Sequence, residues 1–77
     1  MVVMFKERGR DLALRCTELV RAGNEFPTVW ATVLKNNPLV NGIPQSQYEG
    51  DRPVLVIRLF TGERLVVDGE AKKFTVR

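Results

Sequence analysis

The strongest constraint on the fold is a pair of apolar segments late in the chain, PVLVIRLF at residues 53–60 and RLVVD at residues 64–68. Successive side chains of a strand point to opposite faces, so one buried face needs only every second residue to be apolar. In the first segment both alternating sets are apolar, namely Leu55, Ile57 and Leu59 on one face and Val54, Val56 and Phe60 on the other. A chain of 77 residues must therefore cover two sheet faces.

Turn residues around these segments predict a β-meander. Thr61-Gly62-Glu63 joins the two segments, Asp68-Gly69 is a strong hairpin signal, and residues 72–77 form a third strand. A three-residue loop at 61–63 places Leu65 and Val67 on the same face as the leucines and Ile57, whereas a two-residue loop sets leucine opposite arginine. The register that keeps one face apolar is favoured, so we predict the three-residue loop.

Two helices are predicted before the sheet. Apolar residues of the segment 5–23 fall within one helical arc, and Gly23 supplies a left-handed end. A second helix starts at Pro27, which suits the first helical position, and stops before Pro38. The apolar positions of the two helices are Phe5, Leu12, Cys16, Leu19 and Val20, then Phe26, Val29, Trp30, Val33 and Leu34.

These elements predict a single α+β domain over residues 1–77, with the order α-α-β-β-β. The two N-terminal helices are expected to pack on one face of a C-terminal three-stranded antiparallel β-meander. The predicted core consists of Leu12, Cys16, Leu19, Trp30, Val33, Leu34, Leu55, Ile57, Leu59, Leu65 and Val67. The connection at 38–52 has few apolar anchors, and its residues 40–50 are predicted to be the most mobile internal segment.

The composition of the chain limits the classes of partner and the cell compartments to be expected. Twelve Lys and Arg against nine Asp and Glu give a formal charge of +3, which permits an acidic partner without requiring one. The start MVVMF is too short for a signal-peptide core, no apolar stretch is long enough to span a bilayer, and the single cysteine cannot form an internal disulfide. We therefore expect a cytoplasmic protein without a membrane partner.

Catalytic and metal-binding patterns are missing from the sequence. The chain has no histidine, which removes the commonest general base and metal ligand, and one cysteine cannot build a zinc site. Cys16 lies in the apolar arc of the first helix, so a buried structural thiol is expected. The prediction is a non-enzymatic protein without a cofactor or bound metal.

Two surfaces are candidate contact sites. The outer face of the sheet carries Val54, Val56, Arg58, Phe60, Arg64 and Val66. Only the 38–52 connection or another molecule could cover this face. We expect a second copy to bury it, which makes a homo-oligomer or a protein partner the leading prediction. The second surface lies on the first helix opposite its core arc, and comprises Arg10, Leu14, Thr17 and Arg21.

Nucleic-acid binding is the alternative interpretation. Phe60 flanked by Arg58 and Arg64 could stack a base and hold phosphates, as sheet-based RNA binders do. The order of elements also resembles winged-helix DNA binders, whose second helix would here present Thr28, Thr32, Lys35 and Asn36. That resemblance needs a third helix, for which only the segment PQSQY at 44–48 is available.

Overall fold

The computed structural model describes residues 2–77, with side chains described from residue 7 onward. Helix α1 spans Val2–Arg21, and the shorter helix α2 (Phe26–Val29) continues as a π-helical stretch (Trp30–Leu34). The strands are β1 (Gln45–Glu49), β2 (Arg52–Arg58), β3 (Arg64–Asp68) and β4 (Lys73–Val76). They form one antiparallel sheet in the order β1-β2-β3-β4. The predicted α+β class is confirmed, but the sheet has four strands where three were predicted.

The additional strand is β1, which lies in the connection that was predicted to be irregular. Glu49 pairs with Arg52, so Gly50 and Asp51 form a two-residue hairpin loop, and Gly50 adopts the left-handed conformation at φ 61°. Its sequence QSQYE has no apolar alternation, because all five residues are exposed. The Gly50-Asp51 pair before β2 has the residue types of a two-residue hairpin loop. The same segment cannot supply the third helix of a winged-helix protein.

The register of β2 against β3 differs from the prediction by two residues. Arg58 lies opposite Arg64, and Ile57 lies opposite Leu65, so the turn occupies residues 60–62 instead of 61–63. The Leu59 amide donates to the Glu63 carbonyl at 3.0 Å, which extends the hairpin by one further pair. A shift of two residues leaves every side chain on its original face. The predicted face assignment is therefore confirmed although the predicted pairing is not.

The core lies between the helices and the inner face of the sheet. Seven of the eleven predicted core residues are buried, and Leu19, Trp30, Val33 and Leu55 pack against them while half-buried. Ala13, Val29 and Phe74 complete the buried cluster. The Phe74 ring stacks on Phe26 with ring centroids 6.4 Å apart, which joins β4 to α2. Phe5 lies among the residues whose side chains are not described.

Helix α1 closes the outer edge of β4 through one buried hydroxyl. The Thr17 Oγ1 accepts the Phe74 amide at 2.9 Å and donates to the Ala13 carbonyl at 2.8 Å. The placement of Thr17 on an exposed face is therefore wrong, since only 8% of the residue is accessible. Its hydroxyl makes burial tolerable because it replaces the strand partner that the Phe74 amide lacks. This contact leaves β1 as the other edge of the sheet.

Candidate interaction surface

The outer face of the sheet carries a second buried apolar cluster. Val54, Val56 and Val66 are 6%, 7% and 5% accessible within the single chain. The expectation that these three valines remain uncovered is therefore wrong. Of the six residues proposed for this surface, Arg58, Phe60 and Arg64 are exposed.

Strand β1 supplies part of the cover for this cluster. Gln45 lies directly opposite Val56, and Gln47 lies directly opposite Val54, so both glutamine side chains flank the valines on the outer face. On the other side Thr75 of β4 lies opposite Val66. The strand that the sequence pattern did not reveal thus answers how so short a chain covers both faces.

An ion pair between the two edge strands lies across the same face. The Arg77 guanidinium, just beyond β4, donates two hydrogen bonds to the Glu49 carboxylate of β1, one of them at 3.2 Å. Glu49 is paired with Arg52, and Arg77 is paired with Arg64, so the ion pair joins diagonally opposite ends of the two edge strands. Both partners lie on the outer face of their strands, so Glu49 and Arg77 also project from that face.

A second ion-pair group fixes one end of the outer face. Arg52 Nη2 lies 2.6 Å from both Asp68 carboxylate oxygens, and its Nε lies 3.1 Å from Glu70. Asp68 Oδ1 also accepts the amides of Glu70 and Ala71 at 3.0 and 3.1 Å. The Ala71 amide, with smaller contributions from the Glu70 amide and Arg52, lowers the pKa of Asp68 despite some opposing desolvation.

The other end of this face presents two arginines without acidic partners. Arg58 and Arg64 lie directly opposite each other, both are exposed, and neither forms an ion pair with the side chains described. Like charges in this position repel each other unless a counter-ion is present. Phe60 follows two residues after Arg58 and is 68% accessible. The exposure of these three residues agrees with their predicted position on the outer face.

The outer edge of β1 has no neighbouring strand in the part of the sheet described. In an antiparallel ladder, alternate residues direct their N–H and C=O groups to the same neighbour. The Arg64 and Arg77 backbones exchange 2.8 Å hydrogen bonds, and this fixes the alternation through β3 and β2 into β1. By that alternation Gln45, Gln47 and Glu49 bond to β2. Ser46 and Tyr48 therefore direct their backbone groups outward, and no backbone partner for them is described.

Exposed apolar side chains lie at and near this edge. Tyr48 is 76% accessible on the inner face of β1, and Ile43, two residues before the strand, is equally accessible. On helix α1, Leu14 is 58% accessible between the exposed Arg10 and Arg21, as predicted from its helical position. With Thr17 buried, this second candidate surface retains three of its four residues.

Cys16 is the one cysteine of the sequence, and its thiol is buried. Desolvation raises the pKa of the buried Cys16 thiol to about 11, against a smaller opposing effect of Arg15. Among the side chains described, no group of three or more potential metal ligands comes together. None of the helices described is long and apolar enough to cross a bilayer.

A shallow cavity of about 400 Å³ lies between the link that joins α1 to α2 and the β3–β4 turn. Its lining includes Phe26 and Phe74 together with the charged residues Glu25, Asp68, Lys72 and Lys73. Because the lining carries both signs of charge, the cavity favours no particular class of ligand.

Comparisons with models of known protein families, with characterised protein sequences and with solved structures find no match for this chain. Function must therefore be argued from the surface itself.

Proposed function

We propose that this protein is a non-enzymatic interaction module that binds an extended partner strand at the free edge of β1. The observation that carries the proposal is the pair of outward-facing backbone positions, Ser46 and Tyr48, on a strand exposed over its whole length. An unpaired strand edge is a template for pairing with another chain, and main-chain hydrogen bonds supply the affinity.

The composition of β1 supports this proposal. Sheet edges that avoid pairing carry lysine, proline or inward-pointing charge. Strand β1 has no lysine or proline, and its single charged residue, Glu49, is engaged by Arg77. At the opposite edge of the sheet, the outward-facing Phe74 amide of β4 donates a hydrogen bond to the Thr17 hydroxyl of α1. The two edges thus contrast within one sheet, and the uncovered edge is the one proposed to bind.

The edge can be blocked without disturbing the strand. In Ser46→Pro the proline removes an N–H that points away from β2, a position where edge strands tolerate proline. In the matched control Gln47→Pro, the lost N–H is one that bonds to Val54. Ser46→Pro is expected to fold with a melting temperature near that of the parent, whereas Gln47→Pro disrupts the β1–β2 ladder.

The binding test uses peptides selected on the immobilised parent protein from a library of random extended peptides. The proposal expects selected peptides to shift the amide resonances of Ser46 and Tyr48 and to lose affinity for Ser46→Pro. A selection that yields no binder contradicts it. Selected peptides that bind Ser46→Pro with the same affinity as the parent protein would also contradict the proposal.

Nucleic-acid binding is a second candidate function, favoured by the facing Arg58 and Arg64 beside the exposed Phe60. Such a site would hold phosphates between the guanidinium groups and stack a base on the ring. The test is fluorescence anisotropy of a single-stranded oligonucleotide at low and high salt. Arg64→Ser should weaken binding and reduce its salt dependence, whereas the control Arg10→Ser on helix α1 should not. Equal binding by both variants would exclude this site.

A further inference from the structure

The partner strand that fits the β1 edge is β1 itself. We infer that two copies of the protein pair through β1 in an antiparallel register centred on Gln47, which joins their sheets into one of eight strands. This inference rests on the proposed function and names its partner. A two-fold axis at Gln47 places Ser46 opposite Tyr48 of the second copy, and Tyr48 opposite Ser46 of the second copy.

The hydrogen-bond pattern selects this register. A hydrogen-bonded antiparallel pair exchanges two N–H···O bonds, and only residues whose backbone faces outward can form one. Centring on Gln47 uses both outward-facing residues of each copy and gives four such bonds. Centring on Ser46 would bring Tyr48 opposite Pro44, which has no N–H. Centring on Tyr48 would bring Ser46 opposite Gly50, which has already left the strand at φ 61°.

The side chains are complementary in the same register. On the inner face the large Tyr48 ring falls opposite the small Ser46 of the second copy, and this match occurs twice. On the outer face Gln47 meets Gln47 of the second copy, and Glu49 meets Gln45 of the second copy. No like charges are opposed, and each Glu49 gains an amide donor beside its bond from Arg77.

The remaining architecture leaves this approach open. Helix α1 packs against β4, at the far side of the sheet from β1. Tyr48, which is 76% accessible in the single chain, would lose exposure on pairing. A strand of five residues buries less than the roughly 1,200 Å² of a stable interface, so the pairing is weak and depends on concentration. A covalent trap is therefore the appropriate measurement.

The test is disulfide trapping at single introduced cysteines under mild oxidation. Residues directly opposed across a non-hydrogen-bonded pair have Cα atoms about 4.5 Å apart, which a disulfide can bridge. The inference expects Gln47→Cys to form a covalent dimer. The matched control is Gln45→Cys, on the same strand and face. Its two cysteines would be four residues out of register, about 13 Å apart, beyond the disulfide limit of about 7 Å. The native Cys16 is fully buried, and the parent protein controls for it.

The expected result is a dimer of Gln47→Cys that forms at least tenfold faster than that of Gln45→Cys and disappears when Ser46→Pro is added. Equal rates at the two positions, or a rate unaffected by Ser46→Pro, would overturn the inference. If Gln47→Cys stays monomeric while selected peptides still shift Ser46 and Tyr48, the second copy is not the partner and the proposed function stands. If Ser46→Pro alters neither disulfide trapping nor peptide binding, the assignment of binding to the β1 edge is wrong.

Discussion

The contact between Thr17 and Phe74 allows a prediction in which side-chain volume and hydrogen bonding point in opposite directions. Thr17→Val keeps the shape of the side chain but removes the oxygen that accepts the Phe74 amide at 2.9 Å. Phe74 is 3% accessible and Thr17 is 8% accessible, so the amide gains no access to water. An unsatisfied buried donor costs about 1–3 kcal/mol. The Ala13 carbonyl loses the hydrogen bond from the Thr17 hydroxyl but keeps a partner, because it still accepts a hydrogen bond from the helical amide four residues later.

Thr17→Ser is the informative comparison. It retains the oxygen and deletes one methyl group, which costs about 0.8 kcal/mol. The larger Val variant is therefore expected to be less stable than the smaller Ser variant. In a domain of this size each kcal/mol corresponds to about 4–8 °C in melting temperature. Thr28→Val makes the same chemical change on the exposed side of α2 and should alter stability by less than about 0.5 kcal/mol.

The assay is urea unfolding followed by Trp30 fluorescence, together with hydrogen exchange of the Phe74 amide. We expect Thr17→Val to lower the free energy of unfolding and to accelerate Phe74 exchange, and Thr17→Ser to preserve slow exchange. If Thr17→Val is as stable as Thr17→Ser, the hydroxyl does not close the edge of β4. The contrast between a closed and an open edge would then lose its basis.

Three further predictions follow from burial and charge. Ile57→Ala, at a residue 1% accessible, should cost about 2–5 kcal/mol and Ile57→Val about 0.5–1.5 in urea unfolding; equal losses would contradict the assigned inner face. Cys16 should react with a disulfide reagent at pH 8 only after unfolding, because burial raises its pKa to about 11; rapid reaction of the native protein would contradict that burial. The lowered pKa of Asp68 means that its carboxylate stabilises the fold above its unfolded value of about 3.9, and that this contribution disappears as pH falls through the folded pKa. The stability difference between the parent and Asp68→Asn should therefore shrink between pH 7 and pH 3, and a constant difference would assign it to another cause.

The inner half of the fold was predictable from sequence because periodicity reports burial. The apolar alternation of β2 and β3 identified the inner face, and even a pairing error of two residues did not move a side chain between faces. Strand β1 gave no such signal, because a fully exposed strand needs no apolar residue. The one local signal is the Gly50-Asp51 turn. A turn signal predicts a hairpin only when a strand is recognisable on each side, and the residues before Gly50 show no apolar alternation.

The candidate surface was predictable only in part for the same reason. Arg58, Arg64 and Phe60 are exposed as expected, since their positions follow from strand alternation alone. The valine cluster was misjudged because part of its cover comes from β1, a strand whose exposed residues carry no apolar alternation. Thr17 was misjudged because a helical pattern ranks residues by polarity. A hydroxyl with a fixed backbone partner is buried as readily as an apolar side chain.

Hydrogen exchange at single residues of β1, measured at low and high protein concentration, tests the central claim most directly. In dilute protein the Ser46 and Tyr48 amides should exchange rapidly, while the Gln47 amide, bonded to β2, exchanges slowly. At high concentration, we predict that the Ser46 and Tyr48 amides become protected together and that Gln47 changes little. Protection of all three amides at every concentration, or rapid exchange of Ser46 and Tyr48 throughout, would contradict pairing at this edge.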